Sequence, residues 1–581
     1  MNLKFTPTDE QKSIFSFFKT NLENGIIDAV AGSGKTTTLI NGVEFIDTKL
    51  KILFCAFNKK IKNEIESKTR HYNNVTIKTT YSLGLNILKN NNKIFKNPII
   101  IGDKYYNILD RYLDKTPLND RKQILVQESF ESLKLSFNDR KNKEKEQELP
   151  NENGEAKEDE LSFYEIVTKN FKQLLSLTRL TLSFDSGEIG IKKIIEFYGL
   201  DIQIDDSNEI KHYHTIIRIV LMEGFDNALK KGEIDYSDMI FLPNHLNYNS
   251  SYKYDVIFID ECQDLSNAQL KTVLKFYKSN TGRIFAVGDP FQSIYGFAGA
   301  SPKSFDNIKK IINPQSFKLT NCFRSAKSIV KLASEIRTDI TTTNFSEGEV
   351  ININYNEIIK FISNGDFVLS RFNKDIIFTF FILLRNGFSC KILGKEEILK
   401  EISEFIPKNQ HYSSEFYSNL EDNVTNICKK YEHKFKGNSE KIVKAEGVRD
   451  IIILCYYEFQ NSSNFAELLE YLKKFLDRDD EDSIILSSIH RSKGLESENV
   501  FILNYSLLPF RPQNAFQPEW QSYQENCLKY VAITRAQNKL YLVKENNSQN
   551  DLNSLRKVNE IIDDKNERFE ISLDEIDDLP L

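Results

Sequence analysis

Residues 26–37 constrain this chain more than any other stretch. Ile26 to Val30 is an apolar, strand-like run that passes into Ala29-Val30-Ala31-Gly32-Ser33-Gly34-Lys35-Thr36-Thr37 and then into a helical pattern, TTLINGVEF. Glycines let consecutive backbone N–H groups curl around phosphate oxygens with no Cβ in the way. The N-terminus of the following helix adds a favourable dipole. Strand, glycine loop, Lys-Thr and helix in that order spell a phosphate-binding (Walker A) loop. Lys35 is placed for the β- and γ-phosphates of ATP and Thr36 for Mg²⁺, with Ala31, Gly32, Ser33, Gly34 and Thr37 completing the cradle. Ala29 stands where the pattern usually begins with glycine.

A second segment supplies the complementary chemistry. Tyr254-Asp255-Val256-Ile257-Phe258-Ile259-Asp260-Glu261 is an apolar strand ending in two carboxylates. Asp260 would reach Mg²⁺ through water, and Glu261 would polarise an attacking water. Such a pair alone is more often structural. Joined to the phosphate loop, it reads as a nucleoside triphosphate hydrolysis site.

The pattern around these segments predicts an α/β fold. Ile26 to Val30, Ile52 to Ala56, Val256 to Ile259 and Ile284 to Val287 read as buried parallel strands. So do Asp366 to Leu369, Ile484 to Ser488, Val500 to Leu503 and Leu540 to Val543. Long helical stretches, roughly 91–240 and 396–475, lie between them as insertions. Lys141 to Glu160 carries one large aliphatic, Leu149, and reads as a solvated loop or a partner-binding one. The C-terminus, ISLDEIDDLPL, reads as a frayed acidic tail or a short docking peptide. A length of 581 residues predicts about three or four structural units at ~150 residues each. No apolar run approaches the ~18 residues of a membrane span, so no membrane partner is expected. Seven scattered cysteines without a CxxC pair fit a reducing cytoplasm and no structural zinc. With a net charge of −6, any nucleic-acid site must be a local groove.

Further strings then extend the reading. FTPTDEQ (5–11), DECQD (260–264), VGDPFQSIYGFAGA (287–300), LTNCFRS (319–325), SIHRSKGLE (488–496) and ENCLKYVAITRA (525–536) occur in that order. In motif content and spacing the chain resembles superfamily 1 helicases of the UvrD/Rep/PcrA type. The resemblance implies two RecA-like cores with parallel sheets, each carrying a mainly helical insertion. Core 1A would comprise 1–90 and 241–315, insertion 1B 91–240, core 2A 316–395 and 476–555, and a small insertion 2B 396–475, followed by the tail 556–581. Gln11 would recognise adenine, Phe323 would stack on it and Glu496 would contact the ribose. Gln292, just past a strand that should neighbour the Walker B strand, would sense the γ-phosphate and the attacking water. Arg324 and Arg535, both assigned to the second core, would reach the γ-phosphate as arginine fingers. ATP would close the cleft between the cores and hydrolysis would reopen it.

The resemblance also implies a single-stranded DNA track. Tyr295 and Phe297 would stack on bases, at ~1–3 kcal/mol each and without sequence preference. Phe57, Asn58, Thr80, Arg371, Asn373 and His490 would contact phosphates or sugars. Phe297 and Ala298 stand where relatives usually carry Trp and often Arg, and Asn526 and Cys527 where an Arg pair is common. These departures, with only about 160 residues from Ser325 to Ser487, place the chain near the shorter F-box-helicase-like and phage-type branch. The implied activity is ATP-driven translocation along single strands, 3′→5′, with unwinding at single-strand/duplex junctions. The alternative is a DNA-stimulated ATPase subunit of a larger nuclease, repair or anti-phage defence complex, meeting its partner through the 141–160 loop or the acidic tail. About 45 residues after the last motif are too few for a fused nuclease.

Overall fold

The computed structural model describes residues 6–544 except 21, 57–58, 115–119, 147–155, 199, 201, 203–206, 297–298, 300–303, 435–438, 478–481 and 513–516. Phe57, Asn58, Phe297 and the acidic tail therefore lie outside the described residues. The chain divides into two compact units. The first is Met1–Arg324 with Ser334–Asn344 and Gln517–Tyr530; the second is Ser325–Ala333, Phe345–Phe516 and Val531–Leu581.

The first unit is built on a six-stranded sheet. Its strands are β1 (Gly25–Ala29), β2 (Ile52–Ala56), β3 (Val75–Thr79), β4 (Val256–Ile259), β5 (Arg283–Gly288) and β6 (Gln315–Leu319). They run in the order β3-β2-β4-β5-β1-β6, and every pairing is parallel. Parallel sheets are covered on both faces, so inner strands need continuous apolar runs. β4 (VIFI) and β2 (ILFCA) supply them and are buried at every position. Each Val, Ile, Leu or Phe among them contributes roughly 1.5–3 kcal/mol on burial. Aromatics fill one face: Phe18, Phe54, Phe258 and Phe285 pack together with ring centroids 4.4–5.5 Å apart. β5 pairs with both β1 and β4, so the strand before Gln292 lies between the two strands that carry the phosphate loop and the carboxylates.

The long insertion has a core of its own. Helices Lys104–Leu113, Arg121–Glu146, Ala156–Leu180, Gly187–Tyr198 and Ser207–Lys231 bury Leu109, Phe171, Ile217 and Val220 in a cluster apart from the sheet's. A buried ionic network ties it down: Lys104 bonds Asp238 at 2.7 Å, Arg179 bonds Asp235 at 2.7 Å, and the Tyr105 hydroxyl donates to Asp238 at 2.6 Å. Part of the segment 141–160, expected as a solvated loop, is helical instead. Residues 141–146 continue one helix and 156–160 begin the next, leaving 147–155 outside the described residues. Lys- and Glu-rich sequence lacks core-forming residues, but it has high helix propensity and extends a helix already nucleated on the core.

The second unit repeats the sheet. Its strands are β7 (Glu349–Ile353), β8 (Phe367–Ser370), β9 (Cys390–Ile392), β10 (Ile484–Ser488), β11 (Ser497–Ile502) and β12 (Ala536–Val543). The order is β7-β12-β11-β8-β10-β9, again all parallel. Among the described residues, the helices of 396–475 share the sheet's core: Ile402, Val424, Ile452 and Leu472 join Val368, Leu486 and Phe501 in one continuous cluster. Among the described residues, no helix is long and apolar enough to cross a membrane.

Candidate functional site

The phosphate loop leaves β1 and enters helix α1 (Lys35–Gly42). Gly32 and Gly34 take φ of 68° and 77°, the left-handed region that glycine occupies without strain. Gly32 is required on space as well: a Cβ there would lie 2.7 Å from Arg324 Cβ and 2.9 Å from Cys322 Sγ. The Phe323 N–H donates to the Gly32 carbonyl at 2.9 Å. The LTNCFRS segment thus packs directly on the loop. This corrects the assignment of Arg324 to the second core; it lies in the first unit, where the chain is about to leave. β6 pairs beside β1 and Asn321–Cys322 pair with Thr341–Thr342 before the chain departs, a step that the sequence string does not reveal.

The cradle is already charged and paired. Lys35 Nζ lies 3.2 Å from Glu261 Oε1, and the Thr36 hydroxyl donates to Asp260 Oδ2 at 2.6 Å. Burial, reinforced by the neighbouring Glu261 charge, raises the Asp260 pKa to about 6, against the opposing Thr36 hydrogen bond and Lys35 charge. A buried carboxylate short of positive charge fits a site for a hard divalent cation. Thr36 and Asp260 offer the oxygen donors Mg²⁺ prefers, with phosphate oxygens and water left to complete the shell. Among the described residues no cluster of three His, Cys, Asp or Glu side chains suits a cation bound by protein alone.

From Glu261 a hydrogen-bond relay runs to Gln292. Gln263 Nε2 donates to Glu261 Oε2 at 2.5 Å, and its Oε1 accepts from the Asp289 N–H at 3.1 Å. The Asp289 carboxylate accepts from the Gln292 amide at 2.8 Å and from the Phe291 N–H at 3.0 Å. Gly288 is the gap through which the relay passes, since a Cβ there would sit 2.3 Å from Gln263 Oε1. Glu261 itself adopts φ of 51°, which aims its carboxylate back at Lys35. The Glu261 carboxylate and the Gln292 amide are therefore held by the same buried pair of residues, Gln263 and Asp289.

The other nucleotide candidates fall into two groups. Gln11 is buried, its amide donating to the Thr38 hydroxyl at 3.0 Å and accepting from the Thr8 N–H at 3.0 Å. Phe323 is 46% exposed, with its backbone on the loop and its ring open to a planar ligand. Glu496 and Arg535 lie in the second unit. Glu496 accepts from Gln537 at 3.1 Å. Arg535 is buried, its guanidinium donating to the carbonyls of Val531 and Leu495 at 3.0 Å.

The candidate DNA contacts are unevenly placed. In the second unit Arg371 and His490 are neighbours: burial, then the Arg371 charge, drives the His490 pKa down to about 3. The imidazole is therefore neutral and can act only as a hydrogen-bonding group. Asn373 opens a helix and donates to Glu401 at 3.2 Å. In the first unit Thr80 is 1% exposed and its hydroxyl accepts from Gln269 at 3.3 Å. In this structure Thr80 links helix Thr80–Asn91 to helix Asn267–Leu274. Tyr295 is half-buried beside Gly296, whose N–H donates to Gln524 at 3.0 Å and whose Cα faces the Trp520 ring.

Sequence reasoning passed over four contributors. Gln263, Asp289 and Tyr530 sit inside motif strings, yet nothing in the strings said which neighbour they hold. The Tyr530 hydroxyl accepts from the Ala31 N–H of the phosphate loop at 3.1 Å. Arg337 lies in no string at all, and its burial beside Asp289 is visible only in three dimensions.

Comparison with known proteins places this geometry in context. Residues 8–313, just over half the chain, match the family described as UvrD/REP helicase N-terminal domain. The ATP-dependent DNA helicase Rep of Buchnera aphidicola subsp. Acyrthosiphon pisum is 25% identical over 436 residues, covering 69% of this chain and 57% of Rep. The RecBCD enzyme subunit RecB of Buchnera aphidicola subsp. Baizongia pistaciae is 30% identical over 217 residues, or 34% of this chain and 18% of RecB. F-box DNA helicase protein 1 of Schizosaccharomyces pombe is 27% identical over 327 residues, or 50% of this chain and 34% of the relative. The chain thus spans less than two thirds of each of these proteins.

Proposed function

The chain belongs to the UvrD/REP helicase family, and from that premise we propose that it is an ATP-dependent DNA helicase. In this reading it moves along single-stranded DNA, 3′→5′, and opens duplex at single-strand/duplex junctions. The observation that carries the reading is the buried relay from Glu261 through Gln263 and Asp289 to Gln292, set beside the Lys35 loop. Lys35 exchanges Glu261 for the β- and γ-phosphates, which frees the carboxylate to accept a proton from the attacking water. Gln292 contacts the γ-phosphate and that water. Arg324 and Arg535 stabilise charge on the transferring phosphoryl group. Gln11 and Phe323 hold the adenine, Glu496 the ribose, and Gly32, Ser33, Gly34 and Thr37 the phosphates. Thr36 and Asp260 would hold Mg²⁺, which would neutralise charge on the phosphates. Arg371, Asn373, His490 and Tyr295 would line the DNA path. Seven buried free thiols support a reducing, cytoplasmic setting.

The test is strand separation on duplexes with a 3′ or a 5′ single-stranded tail, with ATP and Mg²⁺. Opening of the 3′-tailed duplex is expected. Opening of only the 5′-tailed one overturns the polarity, and opening of neither overturns the helicase reading. A second reading is an ATPase subunit of a larger assembly, favoured by the match to a relative named as an enzyme subunit. Hydrolysis stimulated by DNA without strand separation would select it.

A further inference from the structure

Arg337 is one of the largest fully buried side chains of the molecule, at 1% exposure. It lies on Ser334–Asn344, a strap that returns to the first unit after the chain has left it. Its guanidinium bonds Asp289 Oδ1, reaches Asp28 Oδ1 of β1 at 2.8 Å and Asp339 at 3.0 Å, and lies 5.3 Å from the Phe291 ring centroid. A buried guanidinium is expensive to desolvate, and as bulk stabilisation it is no better than an apolar side chain of similar size. Its value here lies in what it orients.

Asp289 is fully buried, and burial raises its carboxyl pKa on balance; the Arg337 charge opposes this and favours the ionised form. The distinction matters because an ionised carboxylate can only accept hydrogen bonds. With Asp289 ionised, the Gln292 side chain must turn its Nε2 towards Asp289, as observed at 2.8 Å, and its Oε1 away. A protonated Asp289 could donate and allow the amide to flip. Position 527, one of the two where the resembled family commonly carries arginine, holds a buried cysteine with Sγ 3.8 Å from the Pro290 carbonyl. The guanidinium beside this loop therefore comes from a segment outside the motif strings.

We infer that Arg337 is the positioning residue of Gln292: by clamping the Asp289 carboxylate against β1, it holds one N–H of the Gln292 amide on Asp289, which leaves the second N–H for the γ-phosphate and Oε1 to accept from the attacking water. This rests on the proposed role of Gln292 as γ-phosphate sensor. Arg337 is buried and acts through Asp289, so displacing it should slow turnover and leave ATP binding in place.

The experiment is a double-mutant cycle on the full chain, reading kcat and KM for ATP in the presence of single-stranded DNA, with circular dichroism on each variant. Arg337→Gln is expected to lower kcat by up to ~10²-fold, the scale of a misplaced catalytic group, with KM little changed. Arg337→Lys keeps the charge but not the fork that spans Asp28 and Asp289, so it should recover part of the loss. In a Gln292→Ala background, Arg337→Gln should cost nothing further. Additive losses in the cycle, or wild-type kcat in Arg337→Gln, would overturn the inference while leaving the sensor intact. Wild-type kcat in Gln292→Ala alone would instead remove the sensor role beneath it. Should Arg337→Gln fail to fold, Asp289→Asn enters the same cycle, nearly isosteric and with the carboxylate gone; additivity with Gln292→Ala would again overturn the proposal.

Discussion

The two six-stranded sheets are alike in construction and unlike in chemistry. Each is wholly parallel, and each has an inner strand that runs through a short junction into a helix. After β1 that junction is Val30 to Gly34, with two glycines in the left-handed region. After β8 it is Arg371 and Phe372, without glycine; the Ser370 hydroxyl donates to Asp375 at 2.6 Å and accepts from the Phe372 N–H at 3.1 Å. The first junction can wrap a triphosphate. The second satisfies its own polar groups and presents a guanidinium, suited to a single backbone phosphate. A parallel sheet positions a loop at its strand ends, and the loop's composition decides whether it becomes a nucleotide site.

Variants can break that contrast, beginning with the largest effect. Lys35→Ala should lower ATP hydrolysis by about 10³-fold, as loss of a preorganised charge stabiliser does, while single-stranded DNA affinity in a filter or anisotropy assay stays at the wild-type value. Equal loss of both would mean that the two junctions are not chemically separate.

Asp260→Asn should also abolish Mg²⁺-dependent hydrolysis, and it should raise the melting temperature of the nucleotide-free protein at pH 7.5. The sign follows from the raised pKa. The folded protein holds the Asp260 proton up to about pH 6, whereas the unfolded chain releases it near 3.8. Stability is therefore lost as pH rises through that window, and a neutral amide avoids the loss. A melting temperature that fell, measured by differential scanning calorimetry, would show Asp260 to be a stabilising partner of Thr36 and not a charge held in reserve for a cation.

Phe323→Ala should raise KM for ATP by up to about tenfold, the scale of one aromatic contact of ~0.5–1.5 kcal/mol. An unchanged KM would remove Phe323 from the nucleotide site. The smallest effect belongs to the second junction. Arg371→Ala should weaken single-stranded DNA binding and lower the slope of log affinity against log salt by about one, with basal hydrolysis unaltered. An unchanged slope would deny Arg371 a phosphate.

The strands show what sequence could and could not say. The eight runs read as strands correspond to the eight inner strands of the two sheets, β1, β2, β4 and β5 in one and β8, β10, β11 and β12 in the other. The four it passed over, β3, β6, β7 and β9, are the four edges. An inner parallel strand is covered on both faces and spells a continuous apolar run. An edge strand such as Gln315–Leu319, exposed at three of five positions, spells nothing distinctive. The site divides in the same way. Lys35, Thr36, Asp260 and Glu261 could be read because their chemistry depends on local order along one strand and one loop. Arg337 could not, because its partners are 48 and 309 residues away. The burial of Thr80 was not legible either, because a motif gives residue type and place but not burial.

The central claim is that the buried constellation around Lys35 hydrolyses ATP in response to an unpaired polynucleotide. Its most direct measurement is the steady-state ATPase rate of the full chain with and without a single-stranded oligonucleotide, with Glu261→Gln alongside. The account predicts strong stimulation of the wild type by the single strand and none of Glu261→Gln. A wild-type rate indifferent to the oligonucleotide, or a Glu261→Gln rate equal to it, would contradict the account.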